Sequence, residues 1–296
     1  MQKPQGTLWL LPYRKRRKMP LKPHVKKLLR IGLLLMFLFS TAMSVRTLSV
    51  SRKGAQVYEA AYALAASPTQ APEETTQPDI PGETIAVLKY RAPEPVEEDD
   101  GLEEIKKINL AALQEVNPDV VGWVLIPGTK VNYPIVQGTD NEHYLKVTWD
   151  GKPYAMGSIV LECTNAPDMT QFHTILYGHN MNDGSMFASL RSYSQEKYWK
   201  EHPYIYVASS EGCFRYEVFS SYQARVDSST YALEFDPDWG PEYFIATILE
   251  KSKINTGIVP EPTDRILTLS TCSGGYSTRW VVHARLKMVL LEKGVG

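Results

Sequence analysis

Apolar residues are distributed unevenly along this chain of 296 residues. An uncharged apolar run follows a basic N-terminal segment. From about residue 102 onward, many short runs are rich in β-branched and aromatic residues. Between the two regions lies a stretch that is poor in apolar residues and rich in proline. This pattern predicts a hydrophobic N-terminal segment, an extended spacer and one folded domain.

The apolar run between Arg30 and Arg46 is 15 residues long. A spanning helix needs roughly 20 residues. Because Arg46 can extend its charged head toward the membrane surface, the span can continue over 31–51. The cations that precede it favour a cytoplasmic N-terminus. The sequence therefore predicts a basic cytoplasmic tail over 1–30 and a single transmembrane signal anchor over 31–51, with the rest of the chain outside the cytoplasm.

Two other interpretations of this segment stay open. The small residues around Met43 resemble a signal-peptidase site, which is typical of a cleaved signal peptide. A buried helix of a soluble domain would also be apolar, although its flanks would not be so basic. Met19 precedes a complete anchor signal, so it is an alternative start that leaves the topology unchanged.

The segment 52–101 is predicted to be an extracytoplasmic stalk and linker. Six prolines and nine acidic residues against two basic ones fall within 67–101. Such a composition cannot bury enough apolar surface to fold. Gln56–Ala66 is predicted to be a short helix, and the acidic run Glu97–Asp100 is interpreted as solvated linker, not as a metal site.

The folded domain is predicted to span 102–296. An amphipathic pattern predicts a helix over Leu102–Val116, and a second helix is predicted over Asp238–Lys251. The remaining runs predict the strands Val120–Ile126, Gly157–Leu161, Thr174–Tyr177, Tyr204–Val207, Phe214–Tyr222, Arg265–Cys272 and Arg279–Leu290. Many short strands with few helices between them favour a closed or nearly closed barrel that is mainly antiparallel.

The charge distribution narrows the function. The chain has 32 basic and 33 acidic residues, but residues 1–30 hold ten basic side chains and no acidic one. The remainder therefore holds 22 basic and 33 acidic residues, a net charge of −11. A body this acidic is a poor nucleic-acid binder, so no nucleic-acid partner is expected.

Cys272 is the first candidate for chemistry. Strand alternation places Cys272, Ser270, Thr268 and Ile266 on one face. Cys272 ends its strand and is followed by a turn signal, Ser-Gly-Gly, so its thiol is predicted to be accessible. The plainer interpretation is a small buried apolar side chain, the usual fate of a free cysteine.

Arg279 and His179 are the other two candidates. If 273–278 connects two paired strands, Arg279 lies beside Cys272, where a cation would lower a thiol pKa or bind an oxyanion. His179 also follows a strand, and imidazole exchanges protons near neutral pH. The plainer interpretations are an edge cation and a structural histidine; His283, in mid-strand, is predicted to serve packing or the rim.

Together, the three residue types fit a thiol acyl-transfer site. The sequence has no zinc-ligand spacing and no phosphate loop, so no metal or cofactor is predicted. Cys163 and Cys213 are predicted to be buried thiols, with a disulfide between them left open.

At this point the sequence resembles the sortase family. TLSTC at 268–272, followed by Arg279, matches the sortase signature, and YGHNM at 177–181 is similar to the sortase histidine segment. Class B members are favoured by Gly122-Trp123, Tyr133-Pro134, the region from Asp140 to Leu145 and the ending RWVVHARL at 279–286. The resemblance covers roughly residues 102–290. It implies a mainly β, closed eight-stranded sortase-type barrel with an N-terminal helix and a helical insertion before the cysteine strand.

The resemblance also implies an activity. The enzyme would be a cysteine transpeptidase on the outer face of a Gram-positive membrane, cleaving a C-terminal sorting motif of secreted proteins after Thr. A thioacyl intermediate on Cys272 would pass to a peptidoglycan precursor amine. By motif position, Cys272 would be the nucleophile, His179 the general acid and Arg279 the substrate and oxyanion clamp. The groove residues would be Asn141, Leu145, Tyr177 and Ser270.

Three points stay open in the sequence. The loop between Cys272 and Arg279 has six residues, fewer than class B members usually have, which puts the sorting-motif preference in doubt. The acyl acceptor could instead be a lysine of a pilin subunit. A catalytically silent peptide-binding domain is the third interpretation, against which the intact catalytic set argues.

Overall fold

The computed structural model describes residues 23–66, 99–235, 240–272 and 277–290. The chain divides into two compact units, Met1–Arg52 and Lys53–Gly296. Most of the predicted proline-rich linker lies outside the described residues. The element that runs through the boundary between the units is helix α1, Pro23–Ala65.

Helix α1 contains the apolar run that the sequence predicts to be a transmembrane segment. Large apolar side chains between Ile31 and Val45 are exposed, including those of Phe37 and Phe39. By length and composition, the stretch Arg30–Ala65 holds a helix apolar enough to cross a membrane. Such an exposed apolar surface is what the predicted anchor would present to lipid.

The second half of α1 belongs to the folded unit. Tyr58, Ala61 and Ala65 are buried, and the Tyr58 ring meets the Tyr133 ring edge-on at 5.0 Å. The N–H of Asn109 donates to the carbonyl of Ala65 at 2.8 Å. The helix predicted over 56–66 therefore exists, but it continues α1 and packs on the domain that follows the linker.

The predicted helix Leu102–Val116 is wrong in one respect, because the chain forms two short helices there. Helix α2 spans Asp100–Ile105 and helix α3 spans Leu110–Gln114. The side chain of Asn109 accepts from the N–H of Ala112, which starts α3 as a new helix. Periodicity alone cannot reveal this break, because an N-cap asparagine also fits a continuous amphipathic pattern.

Asp99 corrects the interpretation of the acidic run as solvated linker. Its carboxylate caps α2 by accepting from the N–H of Leu102, and it pairs with Arg215 at 2.7 Å. Hydrogen bonds from Tyr206 and Arg215 outweigh the effect of burial and hold the pKa of Asp99 below its usual range. The folded unit thus includes Asp99, while Glu97 and Glu98 lie outside the described residues.

Eight strands form a closed barrel in the order β1-β2-β3-β4-β7-β8-β6-β5, which confirms the predicted fold class. Their bounds are β1 Val120–Leu125, β2 Asn132–Val136, β3 Ile159–Leu161, β4 His173–Gly178, β5 Tyr204–Ser209, β6 Gly212–Arg225, β7 Ile266–Cys272 and β8 Thr278–Leu290. Two further helices are α4, Glu196–Glu201, and α5, Gly240–Glu250, which confirms the helical insertion before the cysteine strand.

Strand β2 was missed by the sequence pattern because it is short and contains a proline. Pro134 pairs with Trp123 of β1, whereas the parallel pairing with β3 involves only Ile135 and Val136. Pro134 thus has a register partner on one side only, which is where a strand tolerates a residue without an N–H.

The barrel pairings set the position of the chemistry. Strands β4 and β7 are parallel neighbours, and Gly178 pairs with Thr271 at their carboxyl ends. Strands β7 and β8 are antiparallel, and Cys272 pairs with Arg279. His179 is the residue directly after β4. It therefore lies at the same end of the barrel as the paired residues Cys272 and Arg279.

The alternation predicted for β7 is confirmed up to Thr271. Leu267 and Leu269 pack in the main barrel core, whereas Ile266 packs in a second apolar cluster with Phe244 and Ile248 of α5. The barrel interior and the space beneath α5 are thus two separate cores, and β7 separates them.

Cys163 and Cys213 are not joined to each other, so the disulfide left open by the sequence does not form. Cys213 is buried at the start of β6, as predicted. Cys163 is only partly buried, which corrects the prediction of a buried thiol.

Candidate active site

A cavity of about 460 Å³ opens at the barrel end where β4, β7 and β8 meet. This volume lies within the range of about 300–1,000 Å³ that is typical of ligand pockets. Six of the seven residues predicted for the site line it: Asn141, Leu145, Tyr177, His179, Ser270 and Arg279. The side chain of Cys272 lies outside the described part of the chain, but its neighbour Thr271 also lines the cavity.

Arg279 lies beside the strand end that carries the cysteine, as the hairpin prediction requires. The backbone of Arg279 pairs with that of Cys272 in the last position of β7. Its guanidinium is half-buried and donates to the carbonyl of Thr278 at 3.0 Å. The connecting residues 273–276 lie outside the described residues. A fixed cation next to a cysteine favours the thiolate and can stabilise an oxyanion.

His179 is held by two hydrogen bonds. The N–H of Phe187 donates to the His179 carbonyl at 2.9 Å, which fixes the backbone where β4 ends. The ring atom Nε2 lies 2.7 Å from the carbonyl of Leu145. Since a carbonyl only accepts, Nε2 carries a proton, and Nδ1 is the nitrogen left to exchange a proton with a substrate.

The loop that carries Leu145 is pressed against Gly157. A Cβ on residue 157 would lie 2.4 Å from the Leu145 carbonyl oxygen, and Gly157 adopts a φ of +59°. Only glycine fits this close approach and this backbone conformation. The hydroxyl of Tyr58 in α1 donates to the Gly157 carbonyl, so the folded half of α1 contacts the segment that supports His179.

Two residues in one wall of the cavity, Asn141 and Tyr177, bind the buried carboxylate of Glu162, which lies behind them. Asn141 donates to Glu162 Oε1 at 2.7 Å, and the Tyr177 hydroxyl donates to Oε2 at 2.8 Å. The Cys163 thiol also lies 3.3 Å from Oε1. Burial raises the pKa of Glu162, but these hydrogen bonds outweigh it and hold the pKa below its usual range.

Tyr177 also belongs to an aromatic pair whose two residues line the cavity. The rings of Tyr177 and Tyr231 are stacked, with centroids 6.4 Å apart and planes at 24°. The hydroxyl of Tyr231 lies 3.0 Å from Oγ of Ser270. Tyr231 comes from a short 3₁₀ segment, Ser229–Tyr231, in the connection between β6 and α5.

Glu162 and Tyr231 are site residues that sequence reasoning missed. Glu162 directly follows β3 (Ile159–Leu161), so the rule that selected His179 and Cys272, a polar side chain at a strand end, would also have found it. Tyr231 has no such signal, since it lies in a connection that the pattern leaves unassigned.

A second polar cluster lies beneath the cysteine strand. His173 Nδ1 donates to the Ala232 carbonyl at 2.7 Å, so Nε2 accepts from the Thr268 hydroxyl, also at 2.7 Å. The Thr268 oxygen in turn accepts from His283 Nδ1 at 2.8 Å. Both histidines are buried, which confirms the packing role predicted for His283. Burial lowers the pKa of His173 to about 4 and holds that of His283 well below its ordinary value.

The fold and the site define a class of protein: a closed β-barrel enzyme whose cavity joins a histidine and an arginine at the end of a cysteine-bearing strand. Comparisons with known proteins agree. The Sortase domain model matches residues 124–287. Sortase B of Staphylococcus aureus is 33% identical over 178 residues, which cover 59% of this chain and 73% of that protein.

Solved structures give the same answer. The chain is similar to an S. aureus sortase B–substrate complex, with 32% identity, a TM-score of 0.58 and coverage of 61% of this chain and 85% of the other. It is also similar to a Bacillus anthracis sortase B structure, with 31% identity, a TM-score of 0.61 and coverage of 81% and 98%. This chain therefore belongs to the sortase family, and within it to the class B sortases, which are cysteine transpeptidases.

Proposed function

We propose that this protein is a membrane-anchored sortase that cleaves a C-terminal sorting motif of secreted proteins after Thr and joins the new carboxyl end to a peptidoglycan amine. The observation that carries the proposal is the cavity at the barrel end, where His179 and Arg279 line the space next to the end of the Cys272 strand. The helix stretch Arg30–Ala65, long and apolar enough to span a membrane, supports the anchor.

Each residue has a role in the proposed reaction. The Cys272 thiolate attacks the carbonyl carbon of the scissile Thr, and Arg279 stabilises the oxyanion that forms. In the reactive form, Nδ1 of His179 holds the proton that the Cys272 thiol has given up. The C–N bond then breaks, and the leaving amine takes this proton from the His179 imidazolium, leaving a thioester on Cys272. In the second half, an amine attacks the thioester and gives a proton to Nδ1 of His179, and the bond to sulfur breaks to release the thiolate.

The proposed topology follows from the charge pattern and the apolar run near the N-terminus. The basic segment 1–30 stays in the cytoplasm, 31–51 crosses the membrane, and the catalytic domain lies outside the cell. The substrates are then secreted proteins that reach the outer face of the cell membrane. The sortase B–substrate complex of S. aureus, to which this chain is similar, supports substrate binding by such a barrel. An NPQTN-like motif is the first to test, followed by LPXTG-like motifs.

The test uses the full chain in detergent with each peptide and a free amine, and it identifies products by mass spectrometry. We expect cleavage after Thr with capture of the amine, and no product from Cys272→Ala. The rate should follow a bell-shaped pH profile that depends on Cys272 and His179. Cleavage that survives in Cys272→Ala, or a rate that stays flat from pH 5 to 10, would contradict the mechanism.

A further inference from the structure

The carboxylate of Glu162 touches two predicted groove residues that come from different elements of the fold. Glu162 follows β3, Asn141 precedes the short helical turn His143–Leu145, and Tyr177 lies in β4. Glu162 is 8% exposed, and it accepts from Asn141 with one oxygen and from Tyr177 with the other. A buried carboxylate with donors on both oxygens holds those donors in fixed orientations.

The orientation of the Asn141 amide follows from its two partners. Its oxygen accepts from the N–H of Cys163 at 2.8 Å, and its nitrogen gives one proton to Glu162 at 2.7 Å. The amide cannot flip, because a flip would place its oxygen against the carboxylate and its NH₂ against a backbone N–H. The oxygen of Asn141 is thus directed at the N–H of Cys163, and the second N–H of its amide is a donor that a ligand can use.

Glu162 also fixes the direction of the hydrogen bond from the Tyr177 hydroxyl. Its hydroxyl proton is donated to Glu162, so its oxygen can only accept from a ligand, and its ring stacks with Tyr231. The wall that Glu162 organises therefore offers one amide donor, one phenol acceptor and a stacked aromatic surface. A peptide carbonyl fits the amide donor, whereas a ligand donor placed against that N–H would meet another donor.

We infer that Glu162 is a positioning residue that sets the hydrogen-bonding polarity of this wall, so that Asn141 presents an N–H donor to a carbonyl of the substrate peptide. The inference rests on the proposed function for the identity of the ligand. Its structural half, the fixed amide, does not depend on which peptide binds. Glu162 acts through Asn141 and Tyr177 and takes no part in the chemistry at Cys272.

A reversal of polarity provides the test. Asn141→Asp places a second carboxylate against Glu162, so we expect a lower melting temperature. In Asn141→Asp/Glu162→Gln, the Gln amide donates to Asp and its oxygen accepts from Tyr177, so the melting temperature should return to within a few degrees of wild type. The donor that faces the peptide is nevertheless gone. The double variant should therefore keep a loss of about tenfold or more in kcat/KM, the effect of about one missing hydrogen bond.

Glu162→Gln alone sharpens the result. The Gln amide keeps one acceptor oxygen and places an NH₂ donor where the other carboxylate oxygen stood, so either Asn141 or Tyr177 loses its acceptor. We therefore expect kcat/KM to fall about tenfold while Cys272 alkylates at the wild-type rate. Glu217→Gln is the matched control. The carboxylate of Glu217 lies 3.0 Å from the guanidinium of Arg285, and neither residue lines the cavity. This control should change kcat/KM by less than about twofold.

Three results would overturn the inference. They are a double variant that stays as unstable as Asn141→Asp, a double variant that recovers full kcat/KM, and a Glu162→Gln enzyme whose Cys272 alkylates slowly. A wild-type enzyme that is inert on every peptide would instead overturn the proposed function. In that case the melting temperatures of the Asn141 and Glu162 variants still decide whether Glu162 fixes the amide.

Discussion

Strand β4 contributes one residue to each of two polar clusters, His173 to the first and Tyr177, four positions later on the same face, to the second. One cluster holds an ionised group, and the other holds neutral ones. The carboxylate cluster, Glu162 with Asn141 and Tyr177, keeps an ionised group directly behind two residues that line the cavity. The histidine cluster, His173 with Thr268 and His283, keeps two neutral imidazoles beneath the cysteine strand. The difference depends on what surrounds each group: donors converge on the carboxylate, whereas the histidines are buried without a carboxylate partner among their described hydrogen bonds.

The two clusters also predict different pH windows for stability. The pKa of Glu162 is lowered from 4.5, so its contribution is present above that pH and is lost only as the pH falls through the lower folded value. The pKa of His173 is lowered from 6.5 to about 4, so the unfolded chain takes up a proton first. Stability therefore begins to fall below pH 6.5 because of the histidines, well before the carboxylate contributes.

The largest expected effect is the loss of folding stability that the histidine cluster causes as the pH falls below 6.5. Between pH 6.5 and 4, His173 alone should cost about 3 kcal/mol of unfolding free energy, at about 1.4 kcal/mol for each pH unit. Urea denaturation at several pH values measures it, and His173→Asn should flatten the slope in that window. Glu162→Gln should leave the slope above pH 4.5 intact. An unchanged slope in His173→Asn would show that the buried imidazole is not its source.

The next effect concerns the centre of the histidine cluster. Thr268→Val removes the hydroxyl that joins the two histidines and leaves buried polar atoms on both without a partner. We expect a loss of about 2 kcal/mol in the free energy of unfolding at pH 7, measured by urea denaturation. Thr268→Ser keeps the hydroxyl and should lose less than half of that. Equal losses in the two variants would assign the effect to the missing methyl packing instead.

The smallest effect lies in the carboxylate cluster. Cys163 donates weakly to Glu162, so Cys163→Ala should change the free energy of unfolding by less than about 1 kcal/mol. Burial and the neighbouring carboxylate raise the pKa of the Cys163 thiol. Cys163 should therefore react slowly with a small sulfonate reagent at pH 7, and peptide mapping should find the fast label on Cys272. Fast labelling of Cys163 would contradict this environment.

The comparison also shows how far sequence reasoning reaches. Thr268 and Ser270 belong to the same motif as Cys272, and alternation places them on one face. Alternation alone does not show that Thr268 joins two histidines while Ser270 faces the cavity. That distinction depends on α5 and the Ser229–Tyr231 segment, which cover different parts of the same strand face. Long-range covering elements leave no local pattern, so the sequence could not predict it.

The sequence by itself determined the apolar N-terminal helix, seven of the eight strands, helix α5 and the candidate residues at strand ends, because each depends on local periodicity or on a short motif. Tertiary structure alone decided the order of the strands around the barrel, the break between α2 and α3, the packing of the second half of α1, and the contacts of Glu162 with Asn141 and Tyr177. The physical reason is that these features depend on contacts between residues far apart in the chain. Asn109 meets Ala65, Glu162 meets Asn141, and His179 meets Leu145 only after the strands have paired.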